Sequence, residues 1–212
     1  MGNKSILDYY DGLAKKIKNP IEMRNKAKDS TRFDVNLMKS YASSERSLLD
    51  LGSGTGLLVN ELVSDYKNIV AVEKYRQFSD FIVISDNVKV INEDILELKT
   101  TEFYDVISVF GVMPYFNQEE AKKIYSLITN SLRKSVHSVA VIKHQMGVNG
   151  DVTVNGWSEE LNAEYYSEYR HVENEIALLH QAGFTRVDKL DIYPSEFNRW
   201  SNTHFYALIC RF

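Results

Sequence analysis

Cysteine is nearly absent from this chain: of 212 residues, only Cys210 carries a thiol. One thiol forms neither a disulfide framework nor a cysteine metal site within one chain, and its place in an apolar run predicts a buried structural group. No apolar run is long enough to span a bilayer. The opening stretch "MGNKSILDYYDGLAKKIKN" lacks the apolar core of a signal peptide, and "MGNKSI" places Ser5 one residue short of the usual position in a myristoylation signal. An excess of positive charge is missing too. Lys and Arg total 25 against 29 Asp and Glu, a formal net charge of −4, so no global basic field marks a general nucleic-acid binder. Repeats and low-complexity segments are absent. These absences predict a globular protein of the reducing cytoplasm, with no membrane, nucleic-acid or metal partner. With 44% hydrophobic residues it has material for one sizeable core, and 212 residues fit one α/β domain with a small appendage.

Along the chain, residues 1–46 are polar and helix-like and are expected to form a helical lid. From Ser47 onward, strand and helix patterns alternate. "SLLDL" (47–51), "NIVAVE" (68–73), "VKVIN" (88–92), "YDVISVFG" (104–111) and "SVAVIK" (138–143) read as strands. Between them, "GLLVNELVSDY" (56–66), "FSDFIVIS" (78–85) and "NQEEAKKIYSLITNSL" (117–132) are expected as helices, the last with an Asn cap. This rhythm predicts βαβ units and a doubly wound, mostly parallel sheet covered by helices on both faces. Residues 144–170, polar and aromatic with three glycines, are expected as an inserted, loop-like acceptor-binding region. A helix at 171–182 and strands at 186–192 and 204–212 complete residues 47–212.

The most informative stretch is "LLDLGSGTG" (48–56). A strand that runs into a glycine-rich turn and then a helix makes a cradle for a cofactor beyond the carboxyl ends of a parallel sheet. The spacing is G-x-G-x-G, not the G-x-G-x-x-G of dinucleotide binders, and Asp50 before it would repel a pyrophosphate but suit a cationic group. Glu73 closes the second strand, where it can accept both hydroxyls of a ribose. Asp94 follows the third strand at the same rim. Simpler readings exist for each: a tight βα turn, an exposed strand-end acid, and a cap for the turn "ILEL".

At these residues the chain resembles the class I S-adenosylmethionine-dependent methyltransferases, small-molecule type. "LLDLGSGTG", "VAVEK", "INEDI" and "YDVISVFGVMPYF" fall in the family's order and spacing over about residues 45–145. The resemblance implies a seven-stranded sheet whose last strand is antiparallel, with S-adenosylmethionine as cofactor and S-adenosylhomocysteine as product. It also implies roles: Asp50 and the glycines at the methionine end, Glu73 on the ribose, Asp94 and Ile95 beside adenine. The cofactor-binding set is thus Asp50, Gly52, Ser53, Gly54, Gly56, Glu73, Lys74, Asp94, Ile95 and Phe110.

The family's adenine-DNA and glutamine methylating branches carry Asn/Asp-Pro-Pro-Tyr/Phe after strand four. Here that place reads "FGVMPYF", with only Pro114-Tyr115 in common and no amide donor, which counts against nucleobase amino groups and protein amides. His144, after strand five, and Tyr115 are the catalytic candidates, because an imidazole with an ordinary pKa near 6.5 can take a proton at neutral pH. Tyr9, Arg24, Tyr169, Arg170, Arg199 and Trp200 are the candidates for binding the acceptor. Local basic charge in residues 15–32 suggests an anionic acceptor: an oxygen of a phosphorylated or nucleotide-linked metabolite, such as an activated sugar of surface-polysaccharide assembly. The alternatives are an amine of a natural product or amino acid, and a cofactor-binding subunit without chemistry. Nothing in the sequence sets the oligomeric state.

Overall fold

In a pleated strand, successive side chains point to opposite faces, so the run Leu48-Leu49-Asp50-Leu51 must divide its residues between two cores. It does so in the computed structural model, which describes residues 4–24, 27–159, 161–198 and 200–212. Leu48 joins Val35, Met38, Val59 and Leu62 on one face, and Leu49 and Leu51 join Ile124, Ile128 and Leu179 on the other. This strand, β1 (Ser43–Leu51), is an interior strand of the sheet, third from one edge. The others are β2 (Tyr66–Val72), β3 (Val88–Ile91), β4 (Val106–Phe110), β5 (Val139–Gly147), a hairpin of β6 (Val152–Ser158) and β7 (Ala163–Tyr169), then β8 (Arg186–Asp191) and β9 (Thr203–Arg211). The seven-stranded sheet has the order β3-β2-β1-β4-β5-β9-β8. Its first five strands are parallel, and β9 is antiparallel to both β5 and β8. The expected doubly wound, mostly parallel sheet is thus the fold of the chain.

Helices α1 (Lys4–Ala14), α2 (Thr31–Lys39), α3 (Val59–Leu62), α4 (Arg76–Ser79), α5 (Gln118–Ser131) and α6 (Val172–Gln181) complete it, with 3-10 turns at Pro20–Arg24, Met113–Tyr115 and Ser195–Phe197. Asn117 caps α5 through a reciprocal pair with Glu120, as its sequence suggests. Two expected helices are much shorter than their patterns. The run 56–66 yields only α3, because β2 already begins at buried Tyr66, whose hydroxyl donates to Met38 O at 3.0 Å. The run 78–85 yields only the end of α4: past it, the Val83 N–H donates to Asn60 Oδ1, and β-branched Ile82-Val83-Ile84 leave the helix.

The stretch expected as a loop at 144–170 is mostly strand. β5 runs on to Gly147, and the β6–β7 hairpin stands apart from the main sheet as a two-stranded ribbon. In β6, Val152 and Val154 alternate with Thr153 and Asn155 as far as Gly156, and β7 carries Tyr165, Tyr166 and Tyr169. The N-terminal segment lies across the same rim of the sheet: the Tyr75 hydroxyl donates to Leu7 O, and that of Thr55 to Pro20 O at 2.8 Å.

One buried ion pair ties the hairpin to α6 and to the turn after β4. Arg170, at the end of β7, donates from Nε to Glu175 Oε2 at 2.6 Å and reaches Phe116 O and Met113 O at 2.6 and 3.2 Å. Glu175 also accepts from the Tyr125 hydroxyl. Both charges are out of water, so removing one partner leaves the other uncompensated, at a cost of about 3–5 kcal/mol. Arg170→Met should lose stability of that order in urea unfolding, and Arg170→Met/Glu175→Leu should regain most of it. A single variant as stable as the wild type would show that the pair does not fasten the hairpin.

Candidate functional site

The turn after β1 has three glycines at φ +78°, +55° and +75° (Gly52, Gly54 and Gly56), a region side chains avoid. Space forbids a side chain as well. A Cβ on Gly52 would lie 2.5 Å from Val112 Cγ1, and one on Gly56 2.7 Å from Ile82 Cγ1. The N–H groups of Gly52 and Ser53 both donate to Val72 O, at 2.9 and 3.0 Å, which fixes the turn to the end of β2. Glu73, next in the chain, completes the link: Oε2 accepts the Gly54 N–H at 2.9 Å and Oε1 the Tyr75 N–H at 2.8 Å. Burial raises the pKa of this carboxyl, while the two backbone bonds oppose the rise.

Beyond the turn lies a cavity of about 470 Å³. One end is apolar, with Ile95, Leu96 and Phe116, and Asp94 stands beside it. Asp94 accepts from Lys74 Nζ at 2.9 Å and from its own turn at Leu96 N. Glu73 and the Gly52–Gly54 backbone form the middle. The other end is charged, with Asp34, Asp50, Lys143 and Arg24. Asp50 is buried, accepts the Ser108 hydroxyl at 2.6 Å, and has its pKa raised by that burial. Of the residues expected to bind the cofactor, only Gly56 does not line this cavity; it packs instead beneath the turn.

A second chamber of about 430 Å³ adjoins the first and shares Tyr10, Met23, Arg24, Gly111 and Tyr115 with it. Its walls come from the N-terminal segment, the turn after β4, the end of β5 and the hairpin. They are strongly aromatic: Tyr10, Tyr115, Trp157, Tyr165, Tyr169, Trp200 and Phe205. The hydroxyls of Tyr10 and Tyr115 bond each other at 2.7 Å across the boundary between chambers. Burial raises the pKa of both phenols, so both stay protonated near neutrality.

His144 lies in this wall with 1% exposure, and neither ring nitrogen has a hydrogen-bond partner among the described residues. Its Nε2 is 3.4 Å from Glu175 Oε1. Burial pushes the imidazole pKa down to about 4, with Glu175 opposing and Arg170 and Lys143 adding to the shift. The ring is therefore neutral at physiological pH.

The residues expected to bind the acceptor separate. Tyr169 and Trp200 line the second chamber, and Arg24 lines both. Tyr9 lines neither and packs edge-on against Tyr10 at 5.3 Å. Arg170 does not face the chamber: its guanidinium is buried and held by Glu175 and two carbonyls. Arg199 lies outside the described residues. Sequence reasoning missed Asp34, Lys143 and Glu175. Lys143 carried a signal, because it ends the apolar strand "VAVIK" as Asp50 interrupts "LLDL", each a charge at the carboxyl end of a buried strand.

The ribosomal RNA adenine dimethylase family model matches residues 25–188. That is most of the chain. The chain belongs to the ribosomal RNA adenine dimethylase family.

This membership makes it an S-adenosylmethionine-dependent methyltransferase of class I. No curated protein matches it in sequence. Among solved structures it is similar in fold to DhpI in complex with SAH, at TM-score 0.71 and 13% identity over 97% of this chain and 94% of that one. It is also similar to an S-adenosylmethionine-dependent methyltransferase from Clostridium acetobutylicum (TM-score 0.63, 16% identity, 97% and 99% covered). A third is the glycopeptide N-methyltransferase MtfA (TM-score 0.67, 8% identity, 88% and 95% covered).

The first cavity suits S-adenosylmethionine in its donor set: an apolar slot with one acid, a buried carboxylate at mid-length, and paired charges at the far end. If Glu73 holds the ribose, Glu73→Ala should weaken S-adenosylhomocysteine binding about tenfold or more in calorimetry, since bonds to a charged acceptor contribute about 1.5–3 kcal/mol. Gly54→Val should abolish binding, because its side chain would enter the cavity, where a Cβ at this position would already lie 3.0 Å from Met23 Cε. Unchanged affinity in either variant would remove that position from the site.

Proposed function

We propose that this methyltransferase transfers its methyl group to a hydroxyl oxygen of a small, ring-bearing acceptor, with His144 taking the hydroxyl proton. One observation carries the reading: a fully buried, neutral imidazole without a hydrogen-bond partner among the described residues, set in the acceptor chamber beside the carboxylate of Glu175. A hydroxyl needs such a base, whereas a free amine does not. S-adenosylmethionine, when bound, supplies an electrophilic methyl carried on sulfur. The protein's part is alignment, exclusion of water and acceptance of one proton. Tyr10 and Tyr115 would close the boundary between chambers, and Glu175 would stabilise the imidazolium as it forms.

The aromatic walls favour a flat or ring-shaped acceptor, stacked on tyrosine and tryptophan faces. An activated sugar fits if its ring enters and its phosphates stay outside, past Trp157 and Trp200, which are 61% and 45% exposed. Inside, the cation Arg24 is already engaged by Ser30, Thr31 and Asp29. The single buried thiol of Cys210 fits a reducing cytoplasm. Among the described residues no helix is long and apolar enough to cross a membrane.

The family description favours a second reading, an adenine amino group of RNA, and the aromatic walls would stack a base equally well. Against it stand the net charge of −4 and the turn after β4, where Gly111 and Val112 offer no side-chain amide.

The pH dependence separates these readings. Below its pKa the imidazole is protonated and cannot act as a base. With a hydroxyl acceptor, kcat/KM should stay level from pH 8 to about 5 and fall only as pH approaches about 4, the His144 value. His144→Ala should lose about 10²–10⁴ in kcat. A nearly full-rate His144→Ala enzyme with its true acceptor would overturn the assignment and favour an amine, and methylation of ribosomal RNA would favour the second reading.

A further inference from the structure

Gln145 is a polar residue of the second chamber that the methyl-transfer chemistry leaves unused. It follows His144 in β5, is 6% exposed, and lines the chamber beside it. A carboxamide has two N–H donors and a carbonyl oxygen with two lone pairs. Among the described residues this one makes a single hydrogen bond, from Nε2 to the hydroxyl oxygen of Thr203 at 2.6 Å. That bond turns Nε2 toward β9 and leaves Oε1 without a partner. Oε1 is nevertheless not sealed from solvent, so it borders the open space that the residue lines. Only water in the chamber satisfies it. A ligand that displaces this water must supply a donor, or leave the oxygen unsatisfied at a cost of roughly 1–3 kcal/mol.

Phe205 stands opposite Gln145 in the β5–β9 ladder and lines the chamber too. Cross-strand partners share one face of the sheet, so the ring and the amide lie side by side. Phe205 is well fixed: its N–H donates to Asn198 Oδ1 at 3.1 Å, and its ring packs on Tyr193 at 5.5 Å. Successive residues of a strand point to opposite faces, so His144 and Gln145 flank the end of β5. Among the described residues, Arg24 is the one charged side chain in the chamber's wall, and Ser30, Thr31 and Asp29 already engage it.

We infer that Gln145 selects the acceptor. Its Oε1 accepts a hydrogen bond from a second donor, an O–H or N–H, on a ring laid against Phe205, while the reacting hydroxyl meets His144. The part of the acceptor inside the chamber is thus an uncharged ring with at least two donor groups, of the polyhydroxylated class. A ring with a lone hydroxyl would bury Oε1 against an apolar edge and lose affinity. This inference rests on the second chamber being the site of a hydroxyl acceptor.

Both tryptophans of the chain, Trp157 and Trp200, line this chamber, so tryptophan emission reports what enters it. The enzyme loaded with S-adenosylhomocysteine is titrated with phenol, catechol and resorcinol, rings that differ only in the second hydroxyl. The wild type should bind one of the two dihydroxybenzenes about fivefold or more tightly than phenol. Gln145→Leu should abolish that preference while leaving phenol affinity within about twofold of the wild type. Because Gln145→Leu leaves the Thr203 hydroxyl without its partner, Gln145→Leu/Thr203→Val removes both polar groups and should behave alike. A double variant that keeps the preference would overturn the inference. So would loss of phenol binding in both variants, which would mark a disturbed wall. A wild type that binds all three compounds alike would overturn the role of Gln145 and leave the acceptor chamber standing. A wild type that binds none of them would overturn both.

Discussion

The carboxylate of Glu73 holds the backbone N–H groups of Gly54 and Tyr75, and the rest of the site depends on that grip. It joins the turn after β1 to the end of β2. The glycines thereby keep a left-handed path that no other residue could follow at low cost. Were the turn to relax, Gly52 would move from Val112, and the wall shared by the two chambers would shift with it. The same carboxylate keeps unused lone pairs on the cavity side. Burial of this group is tolerable because its charge is satisfied by backbone donors.

Strand β5 divides the work. Lys143 and His144 are neighbours in sequence, so the pleat sends them to opposite faces. Lys143 points toward the face covered by α2, where Asp34 meets it. His144 points toward the face covered by α5 and α6, where Glu175 meets it. Each charged partner comes from a different helix, and each helix is anchored by its own apolar stripe. The positions of the histidine and of the lysine are therefore set by the packing of two separate cores against one strand. A change that slides β5 by one residue would exchange the two side chains between faces, and both interactions would be lost together.

The parallel sheet was legible because its signal is local. Short aliphatic runs such as "SLLDL" and "SVAVIK", bounded by polar turns, can only be buried strands at this spacing, and Asp50, Glu73 and Asp94 stand out as acids at their ends. The short helices were not legible. The pattern at 56–66 is amphipathic, and its truncation depends on Tyr66 and Asn87 finding distant partners at Met38, Val63 and within β2. The hairpin was missed because the alternation of "VTVNGWS" is short and ends at Asn155-Gly156, and adjacent Tyr165 and Tyr166 interrupt that of "AEYYSEY". Arg170 and Glu175 could not be paired from sequence, although only five residues separate them. What decides their burial is Tyr125 and the carbonyls after β4, which tertiary packing alone brings near.

The similar structures divide along the same line. At 8–16% identity they share the fold at TM-scores of 0.63–0.71, so the architecture survives almost complete replacement of side chains. In this chain the first cavity is built from few parts: a turn with room for backbone approach, Glu73 at the next strand end, and the charges of Asp34, Asp50 and Lys143. The second chamber is built differently. Beside the ends of β5 and β9, its walls come from the N-terminal segment, the turn after β4 and the β6–β7 ribbon, which lie outside the main sheet. The ribbon and the turn after β4 meet at Arg170, whose guanidinium donates to the carbonyls of Met113 and Phe116 from the end of β7. The seat of the ribbon is therefore coupled to one buried cation, while the wall shared with the first cavity follows the glycine turn. Trp157, Tyr165, Tyr169 and Trp200 line the second chamber alone, so this part of its wall can vary without altering the wall that the first cavity shares.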